Sequence, residues 1–367
     1  TLRDDLTASG YFVLVPPEHY RLVPESEEGA VLYDEWAAIG AEMLLLGSVV
    51  PEGDRFQVEA RLFETEGDKM ILGRRYRGEE DLARRVAHRI ADEIVLYLTG
   101  NRGIAQSKIA FVAQEGESKE IFLMDYDGQR MRRLTRNGSL NLSPTWSPDG
   151  EKIALTSYKD GNPAVYILDR DGKVEKISLP SHPLNIAPDW SPDGRRIAYS
   201  AGLRGNTDVY LLDLEGGETR KLTSHRAIDC CPSWSPNGRE LAFTSDRGGR
   251  PQIYVMDAEG ANARRLTYEG SYHDSAAWSP NGDRIALVSR IGGHFHLQVM
   301  DLATRTLNRL TFGPSNNESP CWSPDGRHLA FASDRVGHYE IYRIPVEGGE
   351  PVRLTDTEGA SSPAWAP

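Results

Sequence analysis

The chain has little that would commit it to covalent or metal chemistry. Only three cysteines occur in 367 residues, Cys230, Cys231 and Cys321. An odd number with two adjacent excludes a paired disulfide framework, and the spacing is not that of a zinc module. All three are expected as small buried or half-buried side chains. There is no basic block. Against 54 Asp and Glu stand 42 Lys and Arg, a net charge of −12, which argues against nucleic acid as a partner. No apolar run approaches the roughly 18 residues that suggest a membrane span, and no stretch has the make-up of a secretory leader. The nucleophile elbow, the P-loop, His-Glu-x-x-His and the dinucleotide fingerprint are all missing. Asp125 to Gly128 and Asp169 to Gly172 begin like calcium loops but lack the later acidic ligands. They read as hairpin turns, and no cofactor is expected.

What is present is repetition. Trp146-Ser147-Pro148-Asp149-Gly150 returns at Trp190, Trp234, Trp278 and Trp322, each time 44 residues on, and a clipped copy ends at Trp365. Six of the seven tryptophans stand in this frame. A fixed period of this size means stacked supersecondary units. After each motif comes a short apolar run such as Leu241 to Ser245, then a Gly- and Arg-rich loop. A second run such as Ile253 to Met256 follows, then an Asp/Glu-Gly turn and a third run ending near Leu-Thr. Runs of four to six residues bounded by turn residues are strands. Ser-Pro-Asp-Gly is turn chemistry: Pro presets φ, Asp bonds its own backbone, Gly accepts positive φ. Counting the segment that ends in Trp, each unit holds four strands, the size of a propeller blade. The Ile/Leu-Ala strand occurs six times, starting at Ile109, yet no Trp-Ser-Pro precedes Ile109. The missing piece is Ser361 to Trp365. The fold expected is therefore mainly β. A small α/β domain (1–103) precedes a six-bladed β-propeller (104–367), closed by pairing of 361–365 with the first blade, which removes exposed strand edges.

In the first hundred residues, Leu2 to Ser9 reads as a helix stopped by Gly10, and Tyr11 to Val15 as a strand. Leu32 to Ile39 reads as a helix ended by Gly40. Met43 to Val50 is apolar on both faces and reads as a central strand. Phe56, Val58, Ala60 and Leu62 alternate as on a half-buried strand. Lys69 to Tyr76 is a further strand of the same mixed sheet. Asp81 to Leu98 is an amphipathic helix with Leu82, Val86, Ile90, Ile94 and Tyr97 on its stripe. The chain opens inside a helix, so a strand belonging before Leu2 is expected outside it.

Candidate binding residues are those that vary while the frame stays fixed. The loop before each Trp enters the innermost strand, so its residues are expected at the mouth of the channel. Five positions before Trp stand Asn141, Asn185, Asp229, His273 and Asn317, with Ala360 in the clipped repeat, a nearly complete polar ring. One position on are Leu142, Ile186, Cys230, Asp274, Glu318 and Ser361. Cys231 follows, and His182 lies earlier in its loop. Such a ring is either a solvated funnel or a site for a peptide or protein loop; function tends to sit on loops held by a rigid scaffold. Ser245-Asp246-Arg247 and Ser333-Asp334-Arg335 also stand in frame, as capping and ion-pair residues between blades. Two enzymatic alternatives are a lyase-like propeller using His182, His225, His273 and Glu318, and a propeller gating a peptidase. The histidines occupy different frame positions, so convergence on one metal is not expected, and no residues remain to build a hydrolase domain.

The repeat Trp-Ser-Pro-Asp-Gly-x-x-Ile-Ala-Phe-x-Ser, with its Ile-Tyr-x-Met-Asp and Arg-Arg-Leu-Thr continuations, resembles the WD40-like repeat of the TolB family. The stretches Glu35 to Gly47, Leu98 to Gly100 running into Lys108 to Phe111, and Thr244 to Tyr254 are similar to the same family. The likeness runs through the chain in the same domain order. It implies a non-enzymatic, monomeric protein of the periplasm, delivered by a leader since removed and belonging to the Tol-Pal system. It further implies binding of the lipoprotein Pal at the propeller mouth, capture there by colicin segments, and contact with TolA through an N-terminal tail preceding Thr1. Outer-membrane integrity and invagination during division are the roles implied. By position, His182 matches a mouth histidine used against Pal. Asp229 and Cys230 fall in the next contact segment, and Cys231 stands where an acidic contact residue is expected.

Overall fold

The computed structural model describes residues 1–24, 30–53, 55–79, 82–169, 172–178, 182–203 and 205–367. Arg170 and Asp171 of one expected hairpin turn, and Asp81 at the expected start of the long helix, lie outside the described residues. The chain forms two compact units, Thr1–Gln106 and Ser107–Pro367.

The first unit holds helix α1 (Leu2–Ala8), a 3-10 turn (Pro17–Leu22), α2 (Tyr33–Ala38) and α3 (Ala83–Thr99). Its strands β1 (Met43–Glu52), β2 (Arg55–Glu64) and β3 (Lys69–Glu79) form one sheet in that order. Both pairings are antiparallel, so the sheet is not mixed. β2 is the central strand and shows the expected burial of Phe56, Ala60 and Leu62. β1 lies at the margin, with Val49 66% exposed; an apolar stretch is necessary for a doubly covered strand but does not create the second cover. Tyr11 to Val15 is not a strand, and Val13 is fully exposed. An extended run becomes a strand only where another edge offers a ladder. Helix α3 ends at Gly100, whose φ of 74° suits glycine. It packs on α1 and β3, burying His88, Ile90, Ala91, Ile94 and Val95. Tyr97, expected on that stripe, is 52% exposed. Buried His88 Nδ1 meets Asp5 Oδ2 at 2.8 Å.

The second unit is six four-stranded antiparallel sheets. The first blade takes β4 (Lys108–Glu115), β5 (Ser118–Asp125) and β6 (Arg132–Arg133). The second runs β7 (Asn141–Trp146), β8 (Ile153–Ser157), β9 (Ala164–Leu168) and β10 (Val174–Lys176). The third runs β11 (Leu184–Trp190), β12 (Arg196–Leu203), β13 (Asn206–Asp213) and β14 (Thr219–Lys221). The fourth runs β15 (Asp229–Trp234), β16 (Glu240–Ser245), β17 (Gln252–Asp257) and β18 (Arg264–Arg265). The fifth runs β19 (His273–Trp278), β20 (Arg284–Ile291), β21 (His294–Asp301) and β22 (Leu307–Arg309). The sixth runs β23 (Asn317–Trp322), β24 (His328–Ser333), β25 (Glu340–Pro345) and β26 (Val352–Arg353). The first blade is completed by β27 (Ala360–Trp365), which pairs antiparallel with β4, Trp365 opposite Ile109. Successive innermost strands touch around the ring, including β23 with β27 and β27 with β7.

The core is laid down between blades. One cluster joins Ala110, Val112 and Ile121 of the first blade to Leu155, Tyr166 and Leu168 of the second. Another joins Val209 and Leu211 to Trp234, Phe243 and Met256. Trp146 Nε1 donates to the Ala364 carbonyl at 3.0 Å, and Trp322 Nε1 to the Ala277 carbonyl at 2.8 Å. Through these two bonds the rings of Trp146 and Trp322 fasten the second and sixth sheets to their predecessors. The Ser-Pro-Asp-Gly turn is closed as its composition demands. Ser147 Oγ donates to Asp149 Oδ1 at 2.5 Å, Lys152 N donates back to Ser147 Oγ at 2.9 Å, and Gly150 sits at φ 69°.

Candidate partner-binding mouth

Six loops lead into the innermost strands, and all are anchored alike. A hydroxyl of the Leu-Thr segment accepts a backbone N–H from inside the neighbouring strand of the same sheet. Thr135 takes that of Ile121 at 2.9 Å, Thr267 that of Ile253 at 3.0 Å, and Thr355 that of Ile341 at 2.8 Å. Each of these segments is thereby pinned to its own sheet where the loop to the next inner strand sets out.

The strand then opens on the position expected to form a polar ring. That ring does not face solvent. Asn141, Asn185, Asp229, His273 and Asn317 are all buried, none more than 2% exposed. They hold the loops to the sheets instead, within a blade and, at Asn141 and Asn317, across to the blade before. Asn141 Oδ1 accepts from Ser157 Oγ at 2.8 Å, and its amide donates to the Lys119 carbonyl at 2.9 Å. Asn185 Nδ2 donates to the His182 carbonyl at 2.7 Å. His273 donates from Nε2 to the Glu269 carbonyl, so its Nδ1 accepts from Ser289 Oγ at 2.7 Å; burial holds its imidazole below the usual range. Asp229 meets Arg247 Nη2 at 2.8 Å, and Asn317 Oδ1 accepts from Arg335 Nη2 at 2.8 Å. The two Ser-Asp-Arg segments therefore act within a blade, not between blades. Each Arg lies over two aromatic rings of its own sheet, Arg335 4.4 Å from Tyr342 and Arg247 4.9 Å from Tyr254. These buried groups act as polar anchors, although Asp229 Oδ1 has no hydrogen-bond partner among the described residues.

The next two positions are different because every innermost strand carries a β-bulge there. The register slips between Leu142 and Thr145, between Cys230 and Ser233, and at the equivalent place in the other four sheets. The residue responsible has a left-handed backbone without being glycine. Ser143, Ala187, Cys231, Ser275, Ser319 and Ser362 all lie at φ between 48° and 55°. A bulge re-aims side chains. Leu142, Ile186, Cys230, Asp274, Glu318 and Ser361 come out half-buried, with Asp274 and Glu318 as the carboxylates. Asp274 Oδ1 accepts from Thr244 Oγ1 at 2.7 Å and its Oδ2 from Tyr272 at 3.1 Å. Glu318 accepts from Tyr339 at 2.8 Å. Both tyrosine hydroxyls are pushed above their usual range, by burial and then by those carboxylates. Cys230 and Cys231 bring their Sγ atoms to 3.5 Å. Burial in the sheet would turn adjacent side chains to opposite faces; the bulge turns both thiols to one place.

His182 is half-buried, its Nε2 3.2 Å from Tyr210 Oη and its ring edge-on to that ring at 5.1 Å. Among the described residues, His182, His225, His273 and Glu318 do not gather donor atoms into a metal-sized group. Sequence reasoning passed over large hydrophobic side chains left exposed on the loops between blades. Tyr268 is 71% and Phe312 69% exposed, both directly after a Leu-Thr anchor. Arg265 lies 5.3 Å from the first ring and Arg309 4.8 Å from the second, propping them outward. Ile228 is 49% exposed. The signal was the residue following Leu-Thr, which varies as freely as the positions chosen. Beside Tyr268 a cleft of about 280 Å³ is lined by Gly248, Gly249, Arg250, Gln252, Arg265 and Gly270.

A family profile described as the TolB amino-terminal domain matches residues 1–71, and one described as the TolB beta propeller domain matches 96–305 and 273–367. The chain belongs to the TolB family. A solved TolB from Acinetobacter baumannii superposes with a TM-score of 0.89 at 29% identity, covering all of this chain and 92% of that one. The Tol-Pal system protein TolB of Desulfosudis oleivorans is 39% identical over 154 residues, 41% of this chain and 35% of its own length. That of Geobacter sulfurreducens is 38% identical over 152 residues, again 41% and 35%. The aligned segment thus spans about a third of the curated relatives it matches. For this TolB-family chain, no helix among the described residues is long and apolar enough to cross a membrane. Its inter-blade loops carry exposed aromatic and apolar side chains, and the bulges of its inner strands carry half-buried carboxylates.

Proposed function

We propose that the chain is a non-enzymatic periplasmic adaptor of the Tol-Pal system. It binds the peptidoglycan-associated lipoprotein Pal at the propeller mouth, and an N-terminal segment communicates with TolA. In that role it supports outer-membrane integrity and invagination during division. The observation that carries the reading is the mouth itself. Tyr268, Phe312 and Ile228 stand exposed on loops whose bases are pinned by buried hydroxyls, so a partner meets a surface that needs no ordering. Preorganisation of this kind lowers the entropic cost of association. The buried anchors Asn141, Asp229, His273 and Asn317 support these loops. Contact falls to His182, Glu318, Asp274, Tyr268 and Phe312.

The test is titration calorimetry with the soluble domain of Pal. Phe312→Ala and His182→Ala are each expected to weaken binding at least about tenfold, the loss typical of a contact anchor. Val13→Ala, in the first unit, serves as the neutral comparison. Unchanged affinity in both mouth variants, with unaltered unfolding curves, overturns the assignment of the mouth.

A further inference from the structure

We propose that Cys230, Cys231 and Asp274 form a site for a thiophilic divalent cation of the zinc class, bridging the fourth and fifth blades. The three side chains present one ligand atom each, all within 4.8 Å of one another. The two sulfurs are 3.5 Å apart. Two thiolates on a tetrahedral zinc, with bonds of about 2.3 Å, stand roughly 3.8 Å apart, whereas a disulfide requires about 2.05 Å. The pair is therefore spaced for sharing an ion. Residue chemistry agrees: two soft sulfur donors and one carboxylate favour zinc over magnesium or calcium.

Three further observations separate this place from a chance meeting. First, the bulge that aligns the thiols is built into all six inner strands, but only this blade fills both positions with cysteine. The others carry Leu142 and Ser143, Ile186 and Ala187, Asp274 and Ser275, Glu318 and Ser319, Ser361 and Ser362. Second, the carboxylate occupies the same frame position as Cys230, one blade on, and the strands that carry them, β15 and β19, are neighbours. Third, Asp274 is already oriented. Thr244 Oγ1 and Ser275 N donate to Oδ1, both at 2.7 Å, and Tyr272 donates to Oδ2 at 3.1 Å. The backbone of Cys231 is fixed by its N–H donating to Ser200 Oγ at 2.9 Å. Outer partners that fix a ligand's orientation are typical of metal sites. Binding forms two metal–sulfur bonds and one metal–oxygen bond and releases the thiol protons to solvent. Three protein ligands leave a fourth position for water or a partner's side chain.

Reduced full-length protein is titrated with Co²⁺ and then with Zn²⁺. One equivalent of Co²⁺ should produce thiolate-to-cobalt charge-transfer absorption, which Zn²⁺ abolishes. Cys230→Ser should remove that absorption, and Asp274→Asn should weaken Zn²⁺ binding at least about tenfold. Thr244→Val, which touches only the outer shell and keeps the ligands, should weaken it less. Absence of the cobalt–thiolate band in the wild-type protein, with both thiols reactive, overturns the site. So does a mass two hydrogens short with no metal taken up, which is the signature of an oxidised pair. Pal binding is measured separately, so loss of the metal site and loss of the adaptor reading remain distinguishable.

Discussion

At the scale of single residues, the six left-handed non-glycine positions at the bulges are the constrained feature common to every inner strand. Each costs on the order of 1–2 kcal/mol and survives because the flanking ladder determines it. All six carry Ser, Ala or Cys, small side chains without a branched carbon skeleton. Ser319→Val, which adds a branched Cβ at φ 53°, should lower stability by about 1–3 kcal/mol, read as the shift of the urea midpoint. Ser319→Gly should not lower it by this route. Two titrating groups, buried His328 and half-buried Asp189, act in opposite senses. Burial, reinforced by Arg343 and Arg327, pushes the His328 imidazole down to about 3. The unfolded chain takes up that proton first, so the contribution is intact above about pH 6.5 and is lost as pH falls toward 3. Burial raises the Asp189 carboxyl to about 6, against hydrogen bonds from Trp234 N and Thr145 Oγ1. Here the folded chain holds the proton longer, so stability is fully present below about pH 4 and is lost as pH rises through 6. Asp189→Asn should therefore exceed the wild type in urea midpoint at pH 7.5, the gap closing by pH 4. His328→Gln should flatten the wild-type decline between pH 7 and 4. A gap for Asp189→Asn that stays constant with pH would show that its carboxyl does not titrate in this window.

At the scale of strands and turns, the tryptophans divide into two groups. Trp322 and Trp146 donate their indole N–H to the preceding blade, whereas Trp190, Trp234 and Trp278 bury an N–H with no hydrogen-bond partner. Trp322→Phe should cost about 0.5–1.5 kcal/mol more than Trp190→Phe, since only the former leaves a carbonyl newly unsatisfied. Equal thermal shifts would remove the hydrogen bond from the account. The strands themselves were legible because the Trp frame, the turn residues and the apolar runs agree at every repeat. Orientation within the frame was not. Periodicity says that Asn141, Asp229 and His273 are equivalent. It does not say which way they point, because the bulge beside them breaks the two-residue alternation from which direction is read. The contact between Cys230, Cys231 and Asp274 was hidden for the same reason, its third member coming from the next repeat. In the first unit, Met43 to Val50 misled because apolar content on both faces was taken for cover on both faces.

At the scale of the whole molecule, the propeller unit has no central nucleus; its apolar contacts are spread over the layers between sheets. Within that ring the first sheet differs from the others, because its inner strand is supplied by β27 from the far end of the chain. Trp365 donates its indole N–H to Ser107 Oγ at 2.8 Å, across 258 positions of sequence. Trp365→Ala should cost about 3–5 kcal/mol and, because it loosens β27 from β4, should also raise light scattering on heating. Trp278→Ala should cost as much without that scattering. If both variants scatter alike, the seam is no weaker than any other interface.

The pairing of β27 with β4 also sets an order of events. A polypeptide that arrives amino end first presents Lys108–Glu115 with a bare margin until Ala360–Trp365 has been delivered. Throughout that interval the margin is open to any extended segment of matching pattern. Two nascent copies held close together can trade tails there, each supplying the other's missing strand, and emerge as an interlocked pair with every hydrogen bond of the monomer intact.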